Sequence, residues 1–173
     1  IQDMYLLTDK PMLYVCNVDD ASAISGNAHV DKLKAGIEEE NPQILIIAGA
    51  MEAEIAELED ADDRKEFLSD AGLEEPGVDK LVRSAYDLLN LQSFFTVGDK
   101  ENRAWTIKKG MKAPEAAGVI HSDLERGFIR AEVMHYEDFI SLGSEAACRD
   151  KGKLFIEGKN FILILCIYIW ICI

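Results

Sequence analysis

Apolar residues in this chain fall into two kinds of pattern. Pro11-Met12-Leu13-Tyr14-Val15-Cys16 and Ile44-Leu45-Ile46-Ile47 are short, nearly continuous apolar runs, the pattern of strands buried on both faces of a parallel sheet. Between them Val30, Leu33 and Ile37 mark one face of a helix, so the three segments describe a strand–helix–strand unit. Glu38-Glu39-Glu40 follow that face and match poorly the negative end of a helix. Residues 51–58 and 62–71 are acidic helical segments, with Gly72 placed to stop the second. After the loop Glu74-Glu75-Pro76-Gly77, the residues Val78, Leu81, Val82, Ala85 and Leu89 space a well-formed amphipathic helix.

The pattern changes beyond residue 90. Ala104-Trp105-Thr106-Ile107 alternates as a half-buried strand does, and Lys108-Lys109-Gly110 breaks it with a turn. Pro114 suits the first turn of a helix, along which Ala116, Ala117, Val119 and Ile120 place small and apolar groups on one side. Gly127 closes the segment, and Phe128-Ile129-Arg130-Ala131-Glu132-Val133 returns as a second alternating strand. Strand, turn, short helix and strand predict a small α+β module after the α/β unit.

Charge supports two units. The net charge of −14 is carried by the first half. Residues 1–90 hold 21 acids and 7 bases, whereas residues 91–173 hold 11 of each. The acidic first unit should repel nucleic acid, and the neutral second one can present a local basic face. A solvated acidic surface beside an ordinary neutral domain explains the same charges. Hydrophobic content of 49% and charged content of 29% are those of a globular protein. Cys16, Cys148, Cys166 and Cys172 show neither CxxC nor Cys/His ligand spacing, which points to reduced thiols rather than a disulfide framework or a zinc site. Ile1-Gln2-Asp3 lacks the basic and apolar regions of a signal peptide. Starting with Ile in mid-pattern, the chain reads as a fragment or a processed product.

Three stretches, RAWTIKKG from Arg103, AP-x-AAG-x-IH-x-D from Ala113 and RGFIRAEV from Arg126, resemble the C-terminal TGS domain of the YchF, or Obg-like ATPase, family of P-loop NTPases. The likeness is nearly ungapped from Pro11 to Phe161. It implies a partial P-loop NTPase domain of Rossmann-like α/β fold over residues 1–90, then a β-grasp TGS domain over 91–173. It also implies a cytoplasmic, ribosome-associated protein that binds ATP or GTP, with Mg2+ in the intact family member, of which this chain is the C-terminal part. Ribosome or RNA and nucleotide are the implied partners; DNA and membrane are not.

Asn17-Val18-Asp19-Asp20 ends the first predicted strand, at the carboxyl edge where open α/β sheets bind ligands. It resembles the N-K-x-D base-reading motif of P-loop GTPases, whose Asn braces neighbouring loops and contacts the base. The YchF family carries N-x-x-E there and prefers ATP. Val18 in place of Lys favours adenine, while Asp20 in place of Glu leaves guanine open. Ala48-Gly49-Ala50 resembles the second base-contacting loop of the family, though a tight strand-to-helix turn needs the same small residues. No G-x-x-x-x-G-K-[ST] and no D-x-x-G segment is present, so the phosphate cradle and metal ligands are missing. No catalytic or metal-binding residue is assigned, and the chain alone is expected not to hydrolyse nucleotide.

In the second unit Lys100, Arg103, Lys108, Lys109, Lys112, Arg126 and Arg130 interleave with Phe94, Phe95, Trp105 and Phe128. Bases set among aromatics suit RNA, and core aromatics with solvated charges give the same pattern. His121 is expected to be a satisfied, half-buried histidine rather than a catalytic base, since no nucleophile pairs with it. The end departs from the family. Ile162 to Ile173 holds no charge, glycine or turn residue, and a helix from Phe161 would span only about 20 Å of a roughly 30 Å bilayer core. The run is expected to be aggregation-prone, an altered coding end that costs the β-grasp its last strand. Two other functions stay open: a non-enzymatic RNA- or ribosome-binding module, and a non-functional truncated gene product.

Overall fold

A computed structural model describes residues 6–7, 10–38, 42–98, 101–163 and the backbone of 167–172. The chain divides into two compact units, Ile1–Leu89 and Asn90–Ile173.

In the first unit β1 (Leu13–Asn17) and β2 (Gln43–Ile47) pair in parallel, from Leu13 opposite Gln43 to Asn17 opposite Ile47. The crossover contains α1 (Ala28–Gly36), which starts where Asn27 accepts hydrogen bonds from the His29 and Val30 N–H groups, an Asn N-cap. After β2 come α2 (Gly49–Glu57), α3 (Ala61–Asp70) and α4 (Gly77–Leu88). Asp60 caps α3 through the Asp62 N–H, and Gly72 takes φ +69° just past its end, the left-handed conformation that glycine adopts without penalty. Ala23, Ala48, Met51, Ile55 and Leu68 form the core of this unit. The apolar run of β1 is less covered than expected for a strand buried on both faces. Met12 is 56% and Val15 47% exposed. The physical reason is that β1 has a single strand neighbour among the described residues, and α4 packs on the pair.

The second unit is a five-stranded mixed sheet. Its strands are β3 (Leu91–Val97), β4 (Asn102–Lys108), β5 (Arg130–His135), β6 (Phe155–Glu157) and β7 (Ile167–Cys172), in the order β4-β3-β7-β5-β6. The alternation seen in the sequence of β4 puts Trp105 and Ile107 inward and leaves Ala104, Thr106 and Lys108 exposed. On the inner face lies α5 (Ala113–Ile120), with Pro114 in its first turn and Glu115 Oε2 accepting from the Lys112 N–H at 2.8 Å. Ala116 and Ala117 let this helix approach Phe94, Ile107, Phe128, Ala131 and Val133. Burying Phe94 and Phe128, each at most 2% exposed, stabilises the unit by about 2–3 kcal/mol apiece. Gln92 is buried among them, and its Nε2 donates to the Leu163 carbonyl at 2.9 Å, satisfying both groups.

Three features differ from the sequence reading. The helical stretch up to Gly127 is two helices, α5 and α6 (Ser122–Gly127), because His121 is extended and its Nδ1 accepts from the Asp123 N–H. Two short helices, α7 (Tyr136–Leu142) and α8 (Glu145–Asp150), follow β5 without having been anticipated. The apolar end does not leave the sheet a strand short. β7 lies between β3, to which it is parallel, and β5, to which it is antiparallel. An uncharged apolar run suits a strand paired on both edges better than an exposed edge strand, where it would invite pairing with other chains. Ahead of it the Phe161 carbonyl accepts from Ala113 N–H, and Leu163 N–H donates to the Met111 carbonyl. Residues 164–166 and 173 of that end lie outside the described residues.

Candidate functional site

β1 and β2 end side by side, and their last residues generate two adjoining loops. Val18 N–H still donates to the Ile47 carbonyl at 2.9 Å; beyond it the chains part. Asp19 turns the first loop by accepting from the Ser22 N–H at 2.9 Å, which opens a short 3₁₀ turn over Asp20–Ser22. In the second loop Ala48 is buried and its carbonyl accepts from the Glu52 N–H, starting α2 at Gly49.

Asn17 joins the two loops. Its Oδ1 accepts from the Gly49 N–H at 2.9 Å, one of the helix N–H groups that has no partner within the helix. A Cβ on Gly49 would stand 3.0 Å from that oxygen, so the bond and the glycine belong together. Among the described residues Asn17 Nδ2 donates to no protein acceptor, and Asn17 is exposed. Val18 is half-buried beside it, Asp20 and Ala50 are exposed, and the lining of an open cavity of about 390 Å³ includes Asn17, Val18, Asn27, His29, Val30 and Leu33. Asn17, Val18, Ala48 and Gly49 are thus brought together, with Asp20 at the head of the 3₁₀ turn. The loop pair offers an amide and helix N–H groups, and the apolar wall lies in the cavity towards α1, which none of Ala48, Gly49 and Ala50 lines. It suits the edge and face of a heterocycle. It has no cation, and no group of metal-ligating residues occurs among the described residues.

A residue that pattern reading passed over supports the second loop. Glu52, in the first turn of α2, accepts at Oε1 from the Gly77 N–H at 2.6 Å. Gly77 is the buried first residue of α4, and its N-cap, Pro76, supplies no side-chain acceptor. The only signal in the sequence was a carboxylate one turn after Gly49, which an exposed acidic helix also shows.

The seven predicted cations of the second unit do not form one patch. Lys100 lies outside the described residues. Arg103 and Lys108 are exposed on β4, but the strand alternation sends them to opposite faces. Lys112 precedes α5, and Lys109 gives its backbone N–H to the Asn90 carbonyl. Arg126 pairs with Asp123, and Arg130 lies 4.0 Å from Glu132. Glu132 is also held by Arg149, which the sequence reading omitted, at 3.2 Å. Of the aromatics, Phe94 and Phe128 are core residues, so they are not available for stacking on a base. Phe95 stacks on Tyr136 with ring centroids 6.1 Å apart. Trp105 is half-buried, with the Arg103 guanidinium 4.2 Å above its ring. His121 caps α6 through its Nδ1, but it is exposed rather than half-buried as expected, because it sits at the extended break between α5 and α6.

Together these observations define a mixed α/β chain of two units, the first presenting a braced loop pair at the carboxyl ends of parallel strands. Residues 91–164 match the YchF-GTPase_C family, described as a protein of unknown function (DUF933). The chain is 46% identical over 165 residues to the ribosome-binding ATPase YchF of Bacillus subtilis, covering 94% of this chain and 45% of that protein. It is 42% identical over 161 residues to Obg-like ATPase 1 of Rattus norvegicus, covering 91% of this chain and 40% of the relative. The solved structure of the Schizosaccharomyces pombe YchF GTPase matches with a TM-score of 0.82 and 32% identity, over 98% of this chain and 45% of that one. The chain belongs to the YchF, or Obg-like ATPase, family and corresponds to the C-terminal part of its members. It spans less than half the length of these relatives.

Proposed function

We propose that this chain supplies the base-recognition loops of a P-loop-type nucleotide-binding domain over residues 1–90, and a β-grasp TGS domain over 91–173, within a cytoplasmic, ribosome-associated NTPase. The Asn17–Gly49 bond carries this reading, because it fixes two loops where a ligand at the strand ends would meet both. Asn17 Nδ2 is left to donate to a ring nitrogen of the base. The half-buried Val18 covers one ring face, and the N–H groups that open α2 meet the ring edge. Without a Lys at position 18 the site favours ATP, with GTP as the weaker ligand. Phosphates and Mg2+ find no cradle here, since the sequence contains neither G-x-x-x-x-G-K-[ST] nor D-x-x-G. In this scheme those groups are held by residues outside the sequence. The names of the relatives support the ribosome as partner. A purely non-enzymatic RNA- or ribosome-binding module is the second reading, favoured by the same missing motifs.

The test joins this chain to the remaining portion of the Bacillus subtilis relative and titrates ATP and GTP calorimetrically. Asn17→Ala is expected to weaken both nucleotides about tenfold, the worth of one hydrogen bond and the brace it maintains. The chain alone is expected to show no hydrolysis. Unchanged affinity in the joined Asn17→Ala protein refutes the base-recognition reading.

A further inference from the structure

The first turn of α2 is held from two sides. On one side the Gly49 N–H donates to Asn17 Oδ1 at 2.9 Å. On the other, Glu52 Oε1 accepts from the Gly77 N–H at 2.6 Å. Of the carboxylates on this helix, Glu54 and Glu57 are exposed and Glu52 is half-buried. Its reach matters because α4 starts without a cap of its own. Pro76 offers no side-chain acceptor, and Gly77, the first residue of α4, is buried. Without Glu52, an N–H that has no partner inside its own helix would meet neither water nor a local acceptor. The amides of Asp79 and Lys80 then both donate to the Pro76 carbonyl, at 3.2 and 3.3 Å. Little space is left between the two helix starts. The gap lined by Ile47, Ala48, Glu52 and Gly77 amounts to about 10 Å³, the lower limit for a single water. The start of α2 is therefore joined to the start of α4 directly and not through solvent.

We infer that Glu52 is a positioning residue for base recognition: it aims the first turn of α2 at the base by tying that turn to α4, and through the same bond nucleotide occupancy firms the start of α4. The inference rests on the base-recognition reading above and adds to it a residue that touches no nucleotide. Asn17 fixes only the first N–H of the turn, and a helix held at one residue still tilts about it. Glu52 lies three residues further on, nearly one turn, so the two bonds together remove that freedom. Between them they hold the Ala50 and Met51 amides, which have no partner within the helix and belong to the N–H groups assigned to the ring edge. A tilt of the turn would carry these amides out of line, and hydrogen bonds weaken steeply when misaligned. Binding energy that depends on this alignment is shared with the Glu52–Gly77 bond, because coupling between two places in a protein is reciprocal. A carboxylate that served stability alone would leave the nucleotide affinity of the folded protein unchanged.

In the joined protein, ATP and GTP affinities are measured calorimetrically at a temperature below the unfolding transition of every variant. Backbone exchange is followed by hydrogen–deuterium mass spectrometry with and without ATP. Glu52→Ala is expected to weaken ATP about fivefold, the lower end of coupling between sites, and GTP to the same degree, because aim is disturbed and base chemistry is not. Glu52→Gln, which keeps an acceptor for Gly77, restores most of that loss. Glu52→Asp, one methylene too short for the bond, weakens ATP as alanine does and serves where the alanine variant does not fold. Combined with Asn17→Ala, the loss falls well short of the product of about fiftyfold, since both bonds hold one turn. ATP slows exchange of the peptide carrying Asp79 and Lys80 in the parent and Gln proteins, and not in the Ala or Asp variants. Parent-like ATP affinity in folded Glu52→Ala and Glu52→Asp overturns the inference and leaves Glu52 a stabilising contact. So do equal losses for Ala and Gln, or ATP binding by the parent that leaves exchange at the start of α4 unchanged. The underlying reading is tested apart. Weakening by Asn17→Ala but not by Glu52→Ala keeps base recognition and removes Glu52 from it, whereas no weakening by either removes both.

Discussion

Replacing Glu52 by alanine should destabilise the first unit by about 2 kcal/mol, through one hydrogen bond. Glu52 Oε1 receives the Gly77 N–H at 2.6 Å, and a charge-assisted bond of this kind contributes about 1.5–3 kcal/mol. Gly77 is buried, so the orphaned N–H is not simply returned to water. The carboxylate also faces the start of α4, where a negative charge adds about 0.3–1 kcal/mol. Glu52→Gln keeps an acceptor without the charge and should cost about half as much. Gly77→Ala is the complementary change, because its Cβ would lie 2.7 Å from Glu52 Oε1 and 3.2 Å from Ile47 Cγ2. Once Glu52 is alanine the closer of these collisions is gone. The double variant should therefore lose less than the sum of the single ones, by about 1 kcal/mol. With a urea dependence of about 1–3 kcal/mol per molar, Glu52→Ala moves the midpoint down by about 1 M. Both tryptophans, Trp105 and Trp170, belong to the second half of the sequence. Circular dichroism should accordingly shift while the tryptophan fluorescence transition stays in place. Equal losses for the Ala and Gln variants, or strict additivity with Gly77→Ala, would show that the carboxylate does not anchor α4.

Val18→Lys, in the joined protein, should move the nucleotide preference towards GTP by placing an aliphatic stem over the base beside Asp20; paired ATP and GTP titrations check it, and an unmoved ratio counts against Val18 as the determinant. Cys148 is fully buried and burial pushes its thiol above the ordinary cysteine value, with Asp138 and Glu145 adding to the shift. It should thus stay unalkylated by iodoacetamide at pH 8 while half-buried Cys16 reacts, as peptide mass spectrometry would reveal. Ending the chain after Leu163 removes the strand between β3 and β5 and should strip hydrogen-exchange protection from Arg130–His135; retained protection would mean that β5 does not depend on β7.

What was legible in the sequence is what local pattern encodes. The runs at Leu13 and Ile44 and the amphipathic spacing from Val78 to Leu89 appear as β1, β2 and α4, within a residue or two at each end. The alternation of Ala104–Ile107 appears as the burial alternation of β4. The contacts that position the site were not legible, because they are non-local. Asn17 and Gly49 are 32 residues apart, and Glu52 and Gly77 are 25 apart; nothing in either segment names its partner. The break at His121 escaped for another reason. Histidine seldom signals a cap, yet an extended backbone lets its Nδ1 take the role usually given to Ser or Asp. The apolar end was misread because its departure from the family pattern was equated with loss of a strand. Alternation is demanded by a face in water, not by pairing itself, and a strand with two neighbours has its hydrogen bonds satisfied whatever its polarity.

The two candidate sites share a construction that bears on how their effects can be separated. Each fixes one side of a polar group so that the other side is offered outward. The Gly49 N–H holds Asn17 Oδ1 and leaves its Nδ2, while Trp105, anchored by Thr96, holds one face of Arg103 and leaves the other. Such pre-organisation reduces the ordering cost of binding; it does nothing for phosphoryl transfer, which requires charge neutralisation at the reacting phosphate. Neither site contains a cation aimed at a phosphate chain beside Asn17 or a metal-ligand group among the described residues. In the joined protein, changes at Asn17 or Gly49 should therefore act on nucleotide affinity, raising KM with little change in kcat. Changes at Arg103 should leave both constants alone. A fall in kcat with unchanged KM on altering Asn17 would instead mean that the loop pair tightens in the transition state, and that base recognition and catalysis are coupled through the start of α2.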